Sequence, residues 1–267
     1  MILPAVNFFG LKVSVFSKEE LIESIEKCID NKQGLVYYGW GFGTLPFFRK
    51  FPLLYKYANS FDIMVTDGRW FYLVCKLFRI PVKFEISIPN LVILTLRIAE
   101  AKGASLILFG AKKEINDRAT RNIKISHPNI NVYEGIEGYF NVDKEASIVD
   151  YINKRKPDIL LVGISIPKKE EFIYKYRNRL GASLIVPCGG MIDVLACKTK
   201  QTPYIIKKLG LAGIYRLAQE PKRLIHIKAT QFYEIFFRIF PSLFINVLIR
   251  NKKDFFIPSL YKIKREN

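Results

Sequence analysis

The chain has 267 residues, of which 50% are apolar, so it is long enough to bury a sizeable core and too apolar to remain disordered. Its 42 lysines and arginines outnumber 24 acidic residues, which gives a formal net charge of +18. A charge of this size predicts a polyanionic partner: nucleic acid, an anionic membrane surface or a phosphorylated substrate.

The cysteine and histidine content argues against a metal site built from these residues. The 4 cysteines form no CxxC pair, and the chain has 2 histidines, His127 and His226. We therefore expect no metal ligands, and free, buried thiols in a reducing compartment. The first residues carry no basic leader before their apolar stretch, so no secretory signal is predicted.

Apolar runs alternate with amphipathic stretches along the first part of the chain. Ser17 and Glu20 form a capping-box pattern at the start of a predicted helix. In a later helix, Phe172, Ile173 and Tyr176 fall on one face, which predicts a buried side. Near-continuous apolar runs, typical of strands buried on both faces, occupy residues 35–38, 62–65, 105–109, 158–162 and 183–187. This alternation predicts an α/β fold over residues 1–200, with a doubly wound, Rossmann-like parallel sheet wrapped by helices.

Small and polar residues follow several of these strands, at the edge where parallel sheets bind ligands. Glycines there permit backbone amides to approach a phosphate, although the GxGxxG spacing is absent and a ligand-free turn is the alternative. Asp67 stands at one such strand end, either as the cap of the next helix or as a group placed there for chemistry. Taken alone, Asp193 is simply an acid at a helix start. The turns are GWGFGT at 39–44, VTDG at 65–68, GISIPKKEE at 163–171 and CGGMIDVLAC at 188–197.

The character of the chain changes after residue 200. Residues 198–267 contain 15 lysines and arginines against 4 acids, and strand patterns are absent there. The apolar stretch 229–249 is interrupted by two charges and by Pro241, so its unbroken part is too short to span a bilayer. We predict that residues 201–267 form a basic helical appendage in a membrane interface, with a helix docked on the core as the alternative. Phenylalanines of this stretch would enter the lipid, while the cations at headgroup level would be Arg238, Arg250, Lys252 and Lys253.

Four motifs in this order resemble the WecG/TagA/CpsF family of bacterial glycosyltransferases. They are VTDG, G-x-x-x-P-K-x-E, GGxxDVLA and LGLAGIYRLAQEPKRL. The resemblance extends from about Val13 to Arg223, and the block YRLAQEPKRL at 215–224 is its most specific part. It implies transfer of N-acetylmannosamine or its uronic acid from a UDP-sugar to a polyprenyl-pyrophosphate-linked sugar. The reaction implied is inverting, independent of metal and without a cofactor.

The resemblance also implies roles for individual residues. Asp67 matches the aspartate that serves as general base toward the acceptor hydroxyl, a role compatible with helix capping. Arg216, Arg223 and His226 stand in the C-terminal region that contacts the acceptor's pyrophosphate, and guanidinium groups suit phosphate oxygens. Solvated arginines paired with Glu220 are the alternative. The donor-binding positions are matched by Gly39, Gly41, Thr66, Gly68, Pro167, Lys169, Glu170, Gly189, Gly190 and Asp193.

Several positions depart from the family pattern, which leaves the donor sugar, and activity itself, open. Gly39 and Gly41 replace a usual Thr and Asn, and His226 replaces a common arginine. Lys169, which replaces a Gln, would either supply positive charge to the pocket or be solvated. The remaining departures are Glu85 for a basic residue, Asn90 for an acid and Gln201 for an arginine.

The sequence therefore predicts a peripheral enzyme of surface-polysaccharide or wall-polymer synthesis at the cytoplasmic face of the membrane. Its expected partners are a UDP-sugar carrying N-acetylmannosamine or a related hexose or hexosamine, a polyprenyl-diphosphate-linked acceptor and the anionic membrane surface. A homo-oligomer is allowed and nucleic acid is not expected. One alternative is an inactive scaffold of a polysaccharide assembly complex. A nucleic-acid-binding protein is less favoured, because basic residues concentrate beside an apolar stretch instead of interleaving with aromatics along a groove.

Overall fold

The structure is a computed structural model that describes residues 3–8 and 10–249. Its strands are β1 Ala5–Phe8, β2 Leu11–Ser14, β3 Leu35–Trp40, β4 Ile63–Thr66, β5 Ser105–Gly110, β6 Asn131–Val132, β7 Ile159–Gly163 and β8 Leu184–Pro187. Its α-helices are α1 Lys18–Asp30, α2 Leu45–Lys50, α3 Leu53–Asn59, α4 Arg69–Leu77, α5 Ile88–Lys102, α6 Lys113–Ser126, α7 Glu145–Arg155, α8 Lys168–Tyr176, α9 Met191–Leu195, α10 Tyr204–Lys208, α11 Ala212–Gln219, α12 Pro221–Glu234 and α13 Phe240–Leu243. A 3₁₀ turn at Val142–Lys144 and π-helical turns at Ile235–Ile239 and Phe244–Ile249 complete the elements. Each apolar run predicted to be a strand is a strand.

Six strands form one parallel sheet in the order β4-β3-β8-β7-β5-β6. Helices cover both faces, so the predicted Rossmann-like α/β core is confirmed. Because all six strands point the same way, the carboxyl ends of β3, β4, β7 and β8 meet along one edge of the sheet. This is the edge at which open parallel sheets bind ligands.

The helices pack on the sheet through the apolar faces that the sequence indicates. Phe172, Ile173 and Tyr176 of α8 are buried in the core on one side of the sheet. Helix α1 begins with the predicted capping box: the Ser17 amide donates to Glu20 Oε2 at 2.6 Å, and the Glu20 amide donates to Ser17 Oγ at 3.2 Å. These local interactions satisfy amides that the first helical turn leaves without partners.

The hairpin β1–β2 lies against β4, which is an edge strand of the large sheet. Ser14 Oγ accepts a hydrogen bond from the Met64 amide at 2.9 Å. The indole of Trp40 donates to the Lys12 carbonyl at 3.0 Å. The hairpin thus partly covers an edge that would otherwise offer unpaired backbone groups.

The segment after residue 200 is mainly helical in its described part, as predicted, and it is docked on the core at several points. Glu234 is buried and forms an ion pair with Arg49 of α2. The Phe240 ring lies 5.6 Å from that of Phe42, edge to face, and Ile235 also packs against the core. The docked alternative therefore holds for these side chains.

Other apolar side chains of the same segment remain exposed to solvent. They are Phe232, Tyr233, Phe236, Phe237, Phe244, Ile245 and Ile249. Arg250, Lys252 and Lys253, which we expect at headgroup level, lie outside the described residues. Within the described chain, no helix combines the length and apolar character that a bilayer crossing requires.

The turn after β3 makes a testable prediction about packing. A Cβ atom at Gly41 would lie 2.1 Å from the Asp67 carbonyl oxygen, whereas one at Gly43 would meet only the Gln231 side chain at 3.5 Å. We expect Gly41→Ala to lower the free energy of unfolding by about 1–3 kcal/mol, because the backbones of two strand ends must separate. Gly43→Ala in the same turn should change it by less than about 0.5 kcal/mol. Urea unfolding of both variants measures the difference, and equal stabilities would contradict the close approach.

Candidate active site

A cleft opens at the carboxyl edge of the sheet, where β3, β4 and β8 end. Its empty volume, including the open mouth, is about 830 Å³. One wall comes from the strand ends and the start of α5, and the other from the segment after residue 198, including α10 and α11. Its lining residues are Tyr38, Gly39, Thr44, Asp67, Ile88, Pro89, Ile166, Lys169, Pro187, Cys188, Gly189, Gly190, Met191, Val194, Lys200, Gln201, Thr202, Lys207 and Arg216.

Asp67 faces this cleft from the end of β4. Its amide donates to the Trp40 carbonyl at 2.8 Å, which ties the ends of β3 and β4 together. Its carboxylate Oδ1 accepts a hydrogen bond at 3.1 Å from the amide of Ile88, the first residue of α5. Capping of the following helix is wrong, because α4 has Gly68 at its N-cap and no side-chain cap there. Asp67 instead uses one carboxylate oxygen to accept the hydrogen bond of the first amide of α5.

The surroundings of Asp67 act on its pKa in opposite directions. Burial raises the pKa of the Asp67 carboxyl above its ordinary value. The Ile88 amide and the positive charges of Arg216 and Lys228 lower this pKa and only partly offset the burial. The result is a carboxylate of raised basicity, which is suited to accepting a proton.

Cations dominate the charge of the cleft. Its charged lining residues are Lys169, Lys200, Lys207, Arg216 and Asp67, so Asp67 is the acid among them. A Cβ atom at Gly190 would lie 2.7 Å from Arg216 Nη2, so the glycine leaves room for the guanidinium. Cations converging on a partly enclosed space are suited to hold a diphosphate.

Lys169 is buried in the wall of the cleft and is not solvated. It forms an ion pair with Glu170, whose Oε1 also accepts a hydrogen bond from the Tyr38 hydroxyl at 3.0 Å. Glu170 is fully buried, and its Oε2 has no partner. The solvated alternative for Lys169 is therefore wrong. Glu170 lies behind the lining and positions Lys169, because a buried carboxylate stabilises an adjacent ammonium.

The glycines near the strand ends have different roles: some allow close packing of the protein, and others leave space in the cleft. Gly39 lies inside β3 and lines the cleft, but a Cβ there would collide with Ile88 at 2.4 Å, so close packing requires it. Gly41 lies behind Asp67 and outside the lining, so the structure does not bring it to the cleft. Gly189 has a φ of +53° and open space beside it, and it lines the cleft with Gly190. The turn after β8 is thus the one best placed to approach a ligand with its backbone.

The remaining candidate residues do not line the cleft. Thr66 is buried beside Asp67, with an unpartnered hydroxyl, and Gly68 follows in the turn. Asp193 forms an ion pair with Lys198 at 2.8 Å. Neither Pro167 nor the exposed His226 contributes to the lining, and the side chain of Arg223 lies outside the described atoms.

Two of the departures from the family pattern have partners in this structure. Glu85 forms an ion pair with Arg69 at 2.5 Å. Asn90 Oδ1 accepts a hydrogen bond at 2.9 Å from Lys207, and burial lowers the pKa of the Lys207 ammonium. Gln201, the third, lines the cleft. Glu85 and Asn90 are thus both held by polar contacts with cations.

Sequence reasoning missed three cations near Asp67: Lys200, Lys207 and Lys228. Lys228 donates to Gln231 at 2.9 Å, and burial and Arg216 lower the pKa of its ammonium. Lys200 and Lys207 belong to a run of lysines that reads as a solvated surface, and only the fold turns them toward the strand ends. Among the described residues, no group of three His, Cys, Asp or Glu side chains is arranged to hold a metal ion. The expectation of a metal-independent reaction stays a prediction.

Comparison with known proteins shows which family and which relatives the chain is similar to. Two similar curated proteins come from Staphylococcus aureus strains MW2 and MRSA252, and both are called N-acetylglucosaminyldiphosphoundecaprenol N-acetyl-beta-D-mannosaminyltransferase. Each is 29% identical over 171 residues, which cover 64% of this chain and 66% of the relative, slightly less than two thirds of its length. The model of the glycosyl transferase WecG/TagA/CpsF family matches residues 6–246, nearly the whole described chain. The chain therefore belongs to the WecG/TagA/CpsF family of glycosyl transferases.

Proposed function

We propose that this cleft transfers a sugar from a UDP-sugar to a polyprenyl-diphosphate-linked sugar. The observation that carries the proposal is one half-enclosed carboxylate, Asp67, in a cleft whose other charged lining groups are all cationic. The name of the similar proteins supports it, since it states an N-acetyl-beta-D-mannosaminyl group and an N-acetylglucosaminyldiphosphoundecaprenol acceptor. The sugar transferred is N-acetylmannosamine or a related hexose or hexosamine, for a surface polysaccharide or wall polymer.

Asp67 acts as the general base of a single displacement. Its free Oδ2 receives the proton of the acceptor hydroxyl while that oxygen bonds to the anomeric carbon. The bond from the anomeric carbon to the UDP oxygen breaks on the opposite side, which inverts the configuration. The hydrogen bond from the Ile88 amide keeps the carboxylate in place without using its second oxygen atom. Burial raises the basicity of Asp67, which improves proton transfer near neutral pH.

The cations divide between two diphosphates. Lys169, oriented by Glu170, lies on the strand side of the cleft beside Gly189, where we place the departing UDP. Arg216 and Lys207 lie on the helical side, where we place the pyrophosphate of the acceptor lipid. Positive charge beside the leaving group stabilises the negative charge that grows on it in the transition state.

The segment from residue 201 onward completes the cleft and faces the membrane. It supplies Lys207 and Arg216 to the lining, and it presents exposed aromatic side chains, including Phe236 and Phe237, to solvent. A polyprenyl-linked acceptor stays in the bilayer, so the enzyme must approach it at the surface. We therefore place the protein peripherally on the cytoplasmic face, with residues 1–200 as its catalytic core.

A direct assay separates an enzyme from an inactive scaffold. Radiolabelled sugar from a panel of UDP-sugars is offered together with a polyprenyl-diphosphate-linked N-acetylglucosamine, and labelled lipid is extracted. Thermal shifts with the same panel identify donors that bind, because ligands that bind only the folded state raise its melting temperature. Donor binding without transfer to any acceptor would favour the scaffold, whereas labelled lipid establishes the transferase.

Asp67→Asn should separate activity from stability. General-base catalysis contributes about 10²–10⁴ in rate, so we expect kcat to fall by that factor. The raised pKa of Asp67 means that the ionised carboxyl lowers the stability of the folded state at neutral pH, and this cost disappears when the group is protonated in both states. Asp67→Asn should therefore melt at the same or a higher temperature than wild type at pH 7.

The matched control lies at the other end of the same strand. Asp62, just before β4, pairs with Arg177 at 2.8 Å, so Asp62→Asn should lower the melting temperature and leave kcat near that of wild type. Labelled-lipid assays and thermal melts measure both variants. If Asp67→Asn transfers sugar at the wild-type rate, Asp67 is not the general base and serves only to cap α5.

The raised pKa of Asp67 also predicts the pH profile of the wild-type enzyme. Because the base must be ionised, kcat/KM should fall as the pH is lowered through the pKa of Asp67. Burial raises this pKa, so the acid limb should lie at a higher pH than an ordinary aspartate would give. Initial rates across the acidic range, at saturating acceptor, measure the limb. A flat profile down to the usual aspartate range would contradict Asp67 as the base.

Gly190→Ala tests the role of Arg216 with little effect on the fold. The added Cβ would meet only the end of the Arg216 side chain, at 2.7 Å, and should displace the guanidinium. A hydrogen bond to a charged group contributes about 1.5–3 kcal/mol, so we expect the KM for the lipid acceptor to rise about tenfold or more in Gly190→Ala and in Arg216→Ala. Lys198→Ala, which removes an exposed cation outside the lining, serves as control. A rise in the KM of the donor alone would place Arg216 at the UDP instead.

A further inference from the structure

A set of large apolar side chains is exposed on one side of the cleft. They come from α4 and from the α10–α11 region, and we call them the α4/α10–α11 patch. Its members are Trp70, Leu73, Leu77, Tyr204, Ile205, Leu209, Leu211 and Ile214. Scattered exposed leucines are normal in soluble proteins, but a group on neighbouring elements marks an interaction surface.

Helix α4 carries two adjacent groups of apolar side chains, one buried and one exposed. Phe71, Val74 and Cys75 are buried against the core, as expected for one face of an amphipathic helix. Trp70 and Leu77, spaced by two helical turns, belong to the exposed group and are 57% and 68% exposed. Packing of the core therefore leaves these side chains largely exposed.

The two halves of the patch are joined. The indole of Trp70 donates a hydrogen bond to the Gly210 carbonyl at 3.1 Å, between α10 and α11. A Cβ atom at Gly210 would lie 2.5 Å from that indole nitrogen, so the ring lies directly on the backbone there. Arg69 is also close enough to Tyr204 for an electrostatic interaction. Helix α4 and the α10–α11 region are therefore in direct contact at Trp70 and Gly210.

Every charged residue in the elements that carry the patch is basic, and one of these cations, Arg69, forms an ion pair with Glu85 from outside them. Residues 69–79 and 202–219 contain Arg69, Lys76, Arg79, Lys207, Lys208 and Arg216, and no acid. An anionic surface would complement this charge, with the cations at headgroup level and the apolar side chains among the acyl chains. A second copy of the chain fits less well, because it would bring two such basic surfaces together.

The patch is continuous with the cleft. Lys207 of α10 and Arg216 of α11 line the cleft, while Ile205 and Ile214 of the same helices belong to the patch. If the protein binds lipid through this patch, the helical wall of the cleft therefore lies beside the lipid headgroups.

We propose that the α4/α10–α11 patch docks on an anionic bilayer and brings the mouth of the cleft to the lipid surface. This rests on the proposed function, in which the acceptor is held in the membrane. The docking surface is distinct from the aromatic residues after Phe232, and it includes α4 of the core. Docking through this surface would turn the helical wall of the cleft, with Lys207 and Arg216, toward the lipid.

Tryptophan fluorescence of the full wild-type chain tests the proposal without changing the fold. Of the 2 tryptophans, Trp70 belongs to the patch and Trp40 is fully buried. With phosphatidylglycerol vesicles whose acyl chains are brominated, we expect strong quenching in the wild type and little in Trp70→Phe. Vesicle-bound protein whose emission is not quenched would overturn the proposal, because it would be bound through another surface.

Charge substitutions give an independent measurement. Leu77→Glu/Ile205→Glu places acids at positions that are 68% and 71% exposed, so the core is not disturbed. In flotation with vesicles of equal phosphatidylglycerol and phosphatidylcholine, we expect the partition coefficient to fall at least tenfold. Ile125→Glu/Val142→Glu, at positions 79% and 70% exposed away from the patch, is the matched control and should float like wild type.

Other outcomes distinguish failure of the membrane-docking proposal from failure of the proposed function. The docking proposal is overturned if Leu77→Glu/Ile205→Glu floats like wild type, or if the control variant loses flotation equally. It is also overturned if light scattering shows that the patch substitutions only convert a dimer to a monomer, because the patch would then bind a second copy of the chain. Transfer to a short-chain, water-soluble acceptor should be retained in the patch variant, while transfer to acceptor in vesicles falls. Absence of transfer to either acceptor by wild type would overturn the proposed function and leave the flotation result standing.

Discussion

The site depends on one constraint, the close approach of the ends of β3 and β4 around Asp67. The Asp67 amide donates to the Trp40 carbonyl at 2.8 Å, and only a glycine at position 41 leaves room for the Asp67 carbonyl. The carboxylate is then held by the first amide of α5, through Ile88. Its second oxygen remains available in the cleft. A partly buried acid with a raised pKa lowers the stability of the fold, which is common where a group serves a function.

The electrostatics of the cleft come from two parts of the chain that are distant in sequence. The strand side supplies Asp67 and Lys169, and the helical side supplies Lys207 and Arg216. The segment after residue 200 is therefore part of the site, and its helices do more than anchor the protein. The segment is docked on the core through Glu234 and Phe240, and Asn90 of α5 holds Lys207 in the wall of the cleft. A polyanionic ligand would lie between these walls and hold them together.

The departures from the family pattern have a common consequence. Lys169 is held by an ion pair with the buried Glu170, and Glu170 in turn accepts a hydrogen bond from Tyr38. Asn90, in place of an acid, accepts a hydrogen bond from Lys207 and leaves that ammonium with its charge unpaired. A carboxylate there would pair with it. The changes thus retain positive charge on the helical wall, which fits a lipid diphosphate approaching from the membrane.

The sequence by itself determined the parallel sheet, the capping box at Ser17 and the position of Asp67 at a strand end, because apolar runs and caps are encoded locally. It also identified Arg216 through the family block. The tertiary structure alone decided that Asp67 caps α5 and not α4, and that Gly41 serves packing and not a ligand. Only the tertiary structure shows that Lys207, which the sequence suggests is a surface lysine, lines the cleft. Such contacts join residues far apart in the chain, so no local pattern encodes them.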